Sequence, residues 1–153
     1  MVTTSVEGSS VSVRDVSQNF LSPEQVQFCA LDTVSLSAKA GEFVSFVGPS
    51  GCGKSTLLRL IAGLATPSSG EVLVGDEKIS GPSAERGLVF QDPNLFPWLS
   101  VRQNIAFAAR HGWRNPPRAL HDARVDEWIE RFRLQSVAHH FPHQISGGQR
   151  QRT

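Results

Sequence analysis

Residues Gly48 to Thr56 read Gly-Pro-Ser-Gly-Cys-Gly-Lys-Ser-Thr, which sets a glycine, four residues, then Gly53, Lys54 and Ser55. Those residue types at that spacing suit the binding of a polyphosphate. Gly48, Gly51 and Gly53 allow positive φ, so backbone N–H groups can crowd round an anion at the positive end of a helix starting near Lys54. Lys54 is a cation long enough to reach the β and γ phosphates. The Ser55 hydroxyl is placed for Mg²⁺, and Thr56 can hydrogen-bond a neighbouring phosphate. Pro49 has no N–H and stiffens the loop. Ser50 and Cys52 complete the span, Cys52 as a small spacer with no partner group near it in sequence.

A Gly-rich turn alone would satisfy the same letters, so the flanking elements decide. Glu42 to Val47 (EFVSFV) is a short apolar, β-prone run without helical period, which predicts a strand covered on both faces. Lys54 to Ala62 is apolar nearly all round and is followed by Gly63, which predicts a buried helix packed on that strand. Upstream, the polar stretch from Met1 to Ser10 is expected to fray. Val11 to Val16 and Val26 to Ala38 alternate as strands, with a turn at Ser22-Pro23. Downstream, Pro67 to Gly70 reads as a turn, Glu71 to Val74 as a strand, Gly75-Asp76 as a turn and Gly87 to Phe90 as a further strand.

After Pro97 the pattern becomes helical. Ser100 and Gln103 have capping-box spacing, followed by Val101, Ile105 and Ala108 on one face. Beyond Pro116-Pro117, Val125, Trp128, Ile129 and Phe132 form a second apolar face opposite Asp126, Glu127, Glu130 and Arg131. The expected organisation is a β core to about residue 98 and a helical subdomain over about 99–153.

Composition fits that outline. The 153 residues are 39% hydrophobic and 19% charged, with 15 Lys and Arg against 14 Asp and Glu, unlike a disordered tail. No stretch is long enough to cross a bilayer, and the N-terminus lacks a basic start followed by an apolar run, so a soluble, unexported protein is expected. Cys29 and Cys52 cannot build a disulfide framework, which suits a reducing compartment. Residues 110–153 carry eight Arg against four acids, whereas residues 1–109 carry seven basic and ten acidic groups. That asymmetry is too weak, and too poor in interleaved aromatics, to indicate a nucleic-acid partner.

A second motif narrows the chemistry. Ile145 to Gln149 reads ISGGQ and continues Arg-Gln-Arg. With the glycine loop, this resembles the ATP-binding subunits of ABC transporters, whose signature is LSGGQ. The resemblance covers nearly the whole chain and rests on an aromatic after the first strand, the phosphate loop, Gln91 and the signature, in the family's order. It implies an α/β fold: a P-loop NTPase core with an antiparallel β subdomain and a helical subdomain. The signature also has a local reading, because Ser146 and Gln149 have capping-box spacing and a helix should start at Gly147, leaving the Gly147 and Gly148 N–H groups at its positive end. A plain helix cap would look the same.

The resemblance further implies that ATP, with Mg²⁺, lies between the phosphate loop of one subunit and Ser146, Gly147, Gly148 and Gln149 of a second in a head-to-tail dimer. By the same resemblance, Phe20 matches the aromatic that stacks on adenine, with Phe28 as the alternative, and Gln91 matches the glutamine that helps place Mg²⁺ and the attacking water. The apolar run Leu95 to Leu99 is either core or a docking surface for a membrane-embedded permease subunit. Docking would place the protein peripherally on the cytoplasmic face of the inner membrane and link it indirectly to a solute-binding protein. The wording QDPNLFPWLSV looks like the nitrate, sulfonate and taurine branch of importers. His139, His140 and His143 lie close together, but Pro142 interrupts them and no Cys or carboxylate completes a metal site.

In the family, the Asp that orients Mg²⁺ and the Glu that activates water lie on a strand after the signature, and no residue here matches either. The chain therefore reads as truncated just after the signature, with the C-terminal part of the sheet missing. It is expected to bind ATP without hydrolysing it efficiently and to aggregate through an unpaired edge near Glu42 to Val47. A soluble ABC-type ATPase of nucleic-acid repair or translation is the rival reading, and a degraded gene product a third. Large insertions or a second cassette, usual in such machines, are not visible.

Overall fold

The computed structural model describes residues 8–112 and 117–153, so most of the polar Met1 to Ser10 stretch lies outside it. By contact density the chain divides into two compact units, Met1–Leu88 and Val89–Thr153.

Four antiparallel strands dominate the first unit. Strand β1 (Val11–Leu21) lies between β2 (Gln27–Ala38) and β3 (Ser69–Val74), and β3 continues into the short β4 (Glu77–Lys78) through Gly75-Asp76, giving the order β2-β1-β3-β4. The first strand is longer than its alternation predicts because register shifts let it continue past Val16. At one of them Asp15 takes φ 49°, its N–H donating to Ser35 Oγ at 2.8 Å while that hydroxyl donates to Asp15 Oδ1 at 2.8 Å. Gly70 is forced by this bulge: a Cβ there would lie 2.3 Å from the Asp15 carbonyl oxygen.

Helix α1 (Lys54–Ile61) follows the glycine loop, and Gly63 closes it, the Leu64 N–H returning to the Arg59 carbonyl at 2.9 Å. It contacts β2 and β3, where Leu57 and Leu60 join Val13, Val16, Leu31 and Val72 in one buried cluster. The helix is not buried all round, since Leu58 faces outward at 41% exposure.

Two predicted strands do not form. Glu42 to Val47 and Gly87 to Phe90 carry no ladder partner among the described residues, and Phe43 and Val47 are each 93% exposed. A β-prone run becomes a strand only through cross-strand pairs, and no described residue pairs with either run in a ladder.

The second unit is helical. Helices α2 (Val101–Gly112) and α3 (Arg118–Arg131) pack together, followed by 3₁₀ turns at Gln135–Val137 and Pro142–Gln144 and by α4 (Gly147–Arg152). Val101, Ile105, Val125, Ile129, Leu134, Ala138 and Ile145 make its core, with Trp128 partly buried against it. Ala108, predicted on the inner face, is exposed, and Ala109 packs there instead. The Ser100 cap forms as predicted: its N–H donates to Gln103 Oε1 at 2.8 Å and its Oγ accepts from the Gln103 N–H at 3.3 Å. Across the helices Arg102 pairs with Asp126. That hydrogen bond, above all, raises the arginine pKa and holds the Asp126 carboxyl below its usual range.

Candidate functional site

The glycine loop ends on Gly53, the N-cap of α1, with φ 92° and ψ −2°. No side chain caps this helix, so its first N–H groups remain for a ligand. Gly53 is required for two reasons. Its φ suits glycine, and a Cβ there would meet the Ala30 carbonyl oxygen and Leu31 Cδ2, each at 2.6 Å. The end of the loop therefore presses on β2, which fixes where the helix starts.

Lys54 folds its ammonium back over the loop, with Nζ donating to the carbonyl oxygens of Gly48 at 2.8 Å and Pro49 at 2.7 Å. A cation is thus held where the sequence places a polyphosphate. Cys52 is more than a spacer: its Sγ lies 3.4 Å from Lys54 Nζ, and a Cβ on Gly48 would approach that sulfur to 2.8 Å. The thiol occupies the space beside Gly48, a contact made by the curl of the loop and hidden in the linear spacing. Gly51 takes φ 84°, and the Cys52 N–H turns back to the Pro49 carbonyl at 3.4 Å. Ser50 and Ser55 are exposed and Thr56 is half-buried, Ser55 and Thr56 on the first turn of α1. Uncapped amides, a tethered ammonium and the exposed Ser55 hydroxyl fit a polyphosphate with Mg²⁺, a cation that takes oxygen ligands.

Phe20 and Phe28 prove to be cross-strand partners at the far end of the β1–β2 hairpin, 44% and 57% exposed.

The remaining predicted residues belong to the second unit. Gln91 is exposed on a loop whose backbone is held by α4, its carbonyl accepting from Gln151 Nε2 at 3.4 Å. Ser146 caps α4: its Oγ accepts from the Gln149 N–H at 3.2 Å and its own N–H donates to Gln149 Oε1 at 2.8 Å. Gly147 and Gly148 are exposed in the first turn. Arg150 pins the approach to this turn by donating to the carbonyls of Ile145 at 2.8 Å and Pro142 at 3.2 Å.

In the apolar run, Phe96 packs edge-on against Phe107 at 4.7 Å and lies 5.5 Å from Trp98, which is 69% exposed. Asn104, which no motif singles out, holds this loop. Its Oδ1 accepts from the Phe96 N–H at 2.9 Å, and its Nδ2 donates to the Leu99 and Ser100 carbonyls at 3.0 Å each. A polar residue beside Val101 and Ile105 on the inner face is the one signal of it in the sequence. His139, His140 and His143 are exposed, and His143 stacks on Phe141.

Comparison with known proteins agrees with this geometry. A family model described as ABC transporter matches residues 31–153. The taurine import ATP-binding protein TauB of Roseobacter denitrificans is 42% identical over 142 residues, which are 93% of this chain and 52% of that protein. The nitrate import ATP-binding protein NrtC of Synechococcus elongatus is 44% identical over 142 residues, 93% of this chain and 22% of its own. The chain thus spans about half the length, or less, of these curated relatives. Among solved structures, the dimeric ATP-binding cassette MJ0796 in a post-hydrolysis state bound to ADP and Pi superposes with a TM-score of 0.81 at 35% identity, over 93% of this chain and 66% of that one. The fold is that of an ABC ATPase core, with an antiparallel β portion and a helical portion. A glycine loop closing on an uncapped helix, a capped Ser-Gly-Gly-Gln turn and a family match across both units lead to one conclusion: this chain belongs to the ABC transporter family.

Proposed function

We propose that this chain is the nucleotide-gripping part of an ATP-binding subunit that serves an importer of a small oxyanion, of the taurine, sulfonate, nitrate or bicarbonate class. The observation that carries the reading is the Lys54 ammonium tethered over a glycine loop that opens an uncapped helix. The import functions of the relatives support the transport role and its solute class. Lys54 and the loop from Gly48 to Thr56 hold the phosphates of ATP, and Ser55 would ligate Mg²⁺, whose charge would offset that of the phosphates. Gln91 has the role that the resemblance gives it, in helping to place Mg²⁺ and the attacking water. Phe20 stacks on the base. Ser146, Gly147, Gly148 and Gln149 face the nucleotide of a second subunit in a head-to-tail dimer.

The exposed Trp98, braced through Phe96 by Asn104, is the contact for a transmembrane permease subunit, through which a solute-binding protein acts. This arrangement puts the chain at the cytoplasmic face of the membrane with no nucleic-acid partner. No helix among the described residues is long and apolar enough to cross a membrane itself.

No residue of the 153 matches the acid that activates water, so the polypeptide by itself binds ATP and turns it over poorly or not at all. A steady-state phosphate-release assay on the purified chain tests this. Turnover at background level is expected, and sustained turnover abolished by Lys54→Ala would contradict it.

A further inference from the structure

The four side chains that follow Gly148 divide their hydrogen bonds unevenly. Gln149 closes the cap on Ser146, Arg150 donates to the carbonyls of Ile145 and Pro142, and Arg152 donates to the Phe132 carbonyl at 2.9 Å and the Gly148 carbonyl at 3.2 Å. These three fix α4 to its helical surroundings. Gln151 alone reaches the loop before α2, its Nε2 donating at 3.4 Å to the carbonyl of Gln91, 60 residues earlier in the chain.

That acceptor matters because the loop has little else to hold it. From Val89 to Leu95 the chain forms neither helix nor ladder, and the Gln91 carbonyl is its one hydrogen-bonded backbone group among the described residues. Asn94 takes φ 47°, and only beyond it does Asn104 catch the backbone at Phe96. The Gln91 side chain is exposed and bonds to no described residue, so its location follows from where its own backbone is held. A neutral amide donor holds that backbone without adding charge beside a residue meant for Mg²⁺.

Gln151 also belongs to the face of α4 that carries Gly147 and Gly148, four and three residues earlier. A shift of that turn is therefore passed to the Gln91 loop through one side chain.

Resting on the nucleotide-binding reading, we infer that Gln151 is a positioning residue for Gln91. It holds the Gln91 peptide against α4, and so ties the side chain that helps to place Mg²⁺ in one subunit to the turn that faces the nucleotide of the second.

NMR and calorimetric titration of the full chain test the assignment. The Asp92 N–H shares a peptide unit with the Gln91 carbonyl, so its resonance reports the contact. Gln151 is exposed and Ala is a good helix former, so Gln151→Ala is expected to fold. This variant is expected to shift the Asp92 resonance and to weaken MgATP binding roughly threefold, the worth of one neutral hydrogen bond, while ATP affinity in EDTA stays unchanged. In a Gln91→Ala background, which keeps the carbonyl and removes the amide that it positions, Gln151→Ala is expected to weaken MgATP no further. An unmoved Asp92 resonance, an equal loss with and without Mg²⁺, or an undiminished loss in the Gln91→Ala background would each overturn the role of Gln151 and leave the phosphate loop standing. Failure of the parent chain to bind MgATP would overturn the nucleotide reading together with this role.

Discussion

Gly53 lies against Ala30 so closely that a single added carbon would sit 2.6 Å from the Ala30 carbonyl oxygen. This contact joins the end of the glycine loop to strand β2 and sets the start of α1. It also explains why φ 92° is maintained at a position where the loop could otherwise relax.

Substitution at that contact is the first prediction. Gly53→Ala must relieve both a backbone clash and an unfavourable φ, and is expected to cost about 2 kcal/mol or more. Urea unfolding followed by circular dichroism checks this, and a midpoint equal to that of the parent would show that the loop does not press on β2.

Ser146 supplies the second. Its hydroxyl accepts from the Gln149 N–H, and loss of an N-cap of this type costs about 1 kcal/mol. Ser146→Ala should therefore speed amide exchange at Gln149 about fivefold, as read by NMR. Unchanged protection would mean that the capping box does not hold α4.

Asp126 gives a pH prediction. Its hydrogen bond from Arg102 lowers the folded-state pKa, so the pair's stabilisation is complete above the ordinary carboxylate range and is lost as pH falls through the lowered value. Asp126 is largely exposed, so the effect is small and screened by salt. The melting temperatures of the parent and Asp126→Asn should differ slightly at pH 7 and converge as the pH falls through the lowered carboxyl pKa, and 1 M salt should also close the gap. A gap that persists at low pH would assign it to another cause.

Legibility in the sequence tracks the range of the interactions. Ser100 with Gln103 and Ser146 with Gln149 are readable because each cap is complete within four residues. The loop and α1 are readable for the same reason. Glu42 to Val47 and Gly87 to Phe90 mislead because a strand depends on partners distant in sequence, and no described residue pairs with either run. The Cys52 contact with Lys54 and the brace that Asn104 gives to Phe96 depend on the chain's path in space. Phe20 and Phe28 are individually visible, but their opposition depends on a bulge that alternation alone does not reveal.

On the proposed function, Lys54, held over its own loop by the carbonyls of Gly48 and Pro49, grips the phosphates of ATP. Calorimetric titration of the parent chain and Lys54→Ala with MgATP measures this directly. Saturable binding by the parent is predicted, with an affinity loss of roughly tenfold or more in the variant, the worth of hydrogen bonds from a charged donor. Equal affinity in the two proteins, or no binding by a folded parent, would contradict the account.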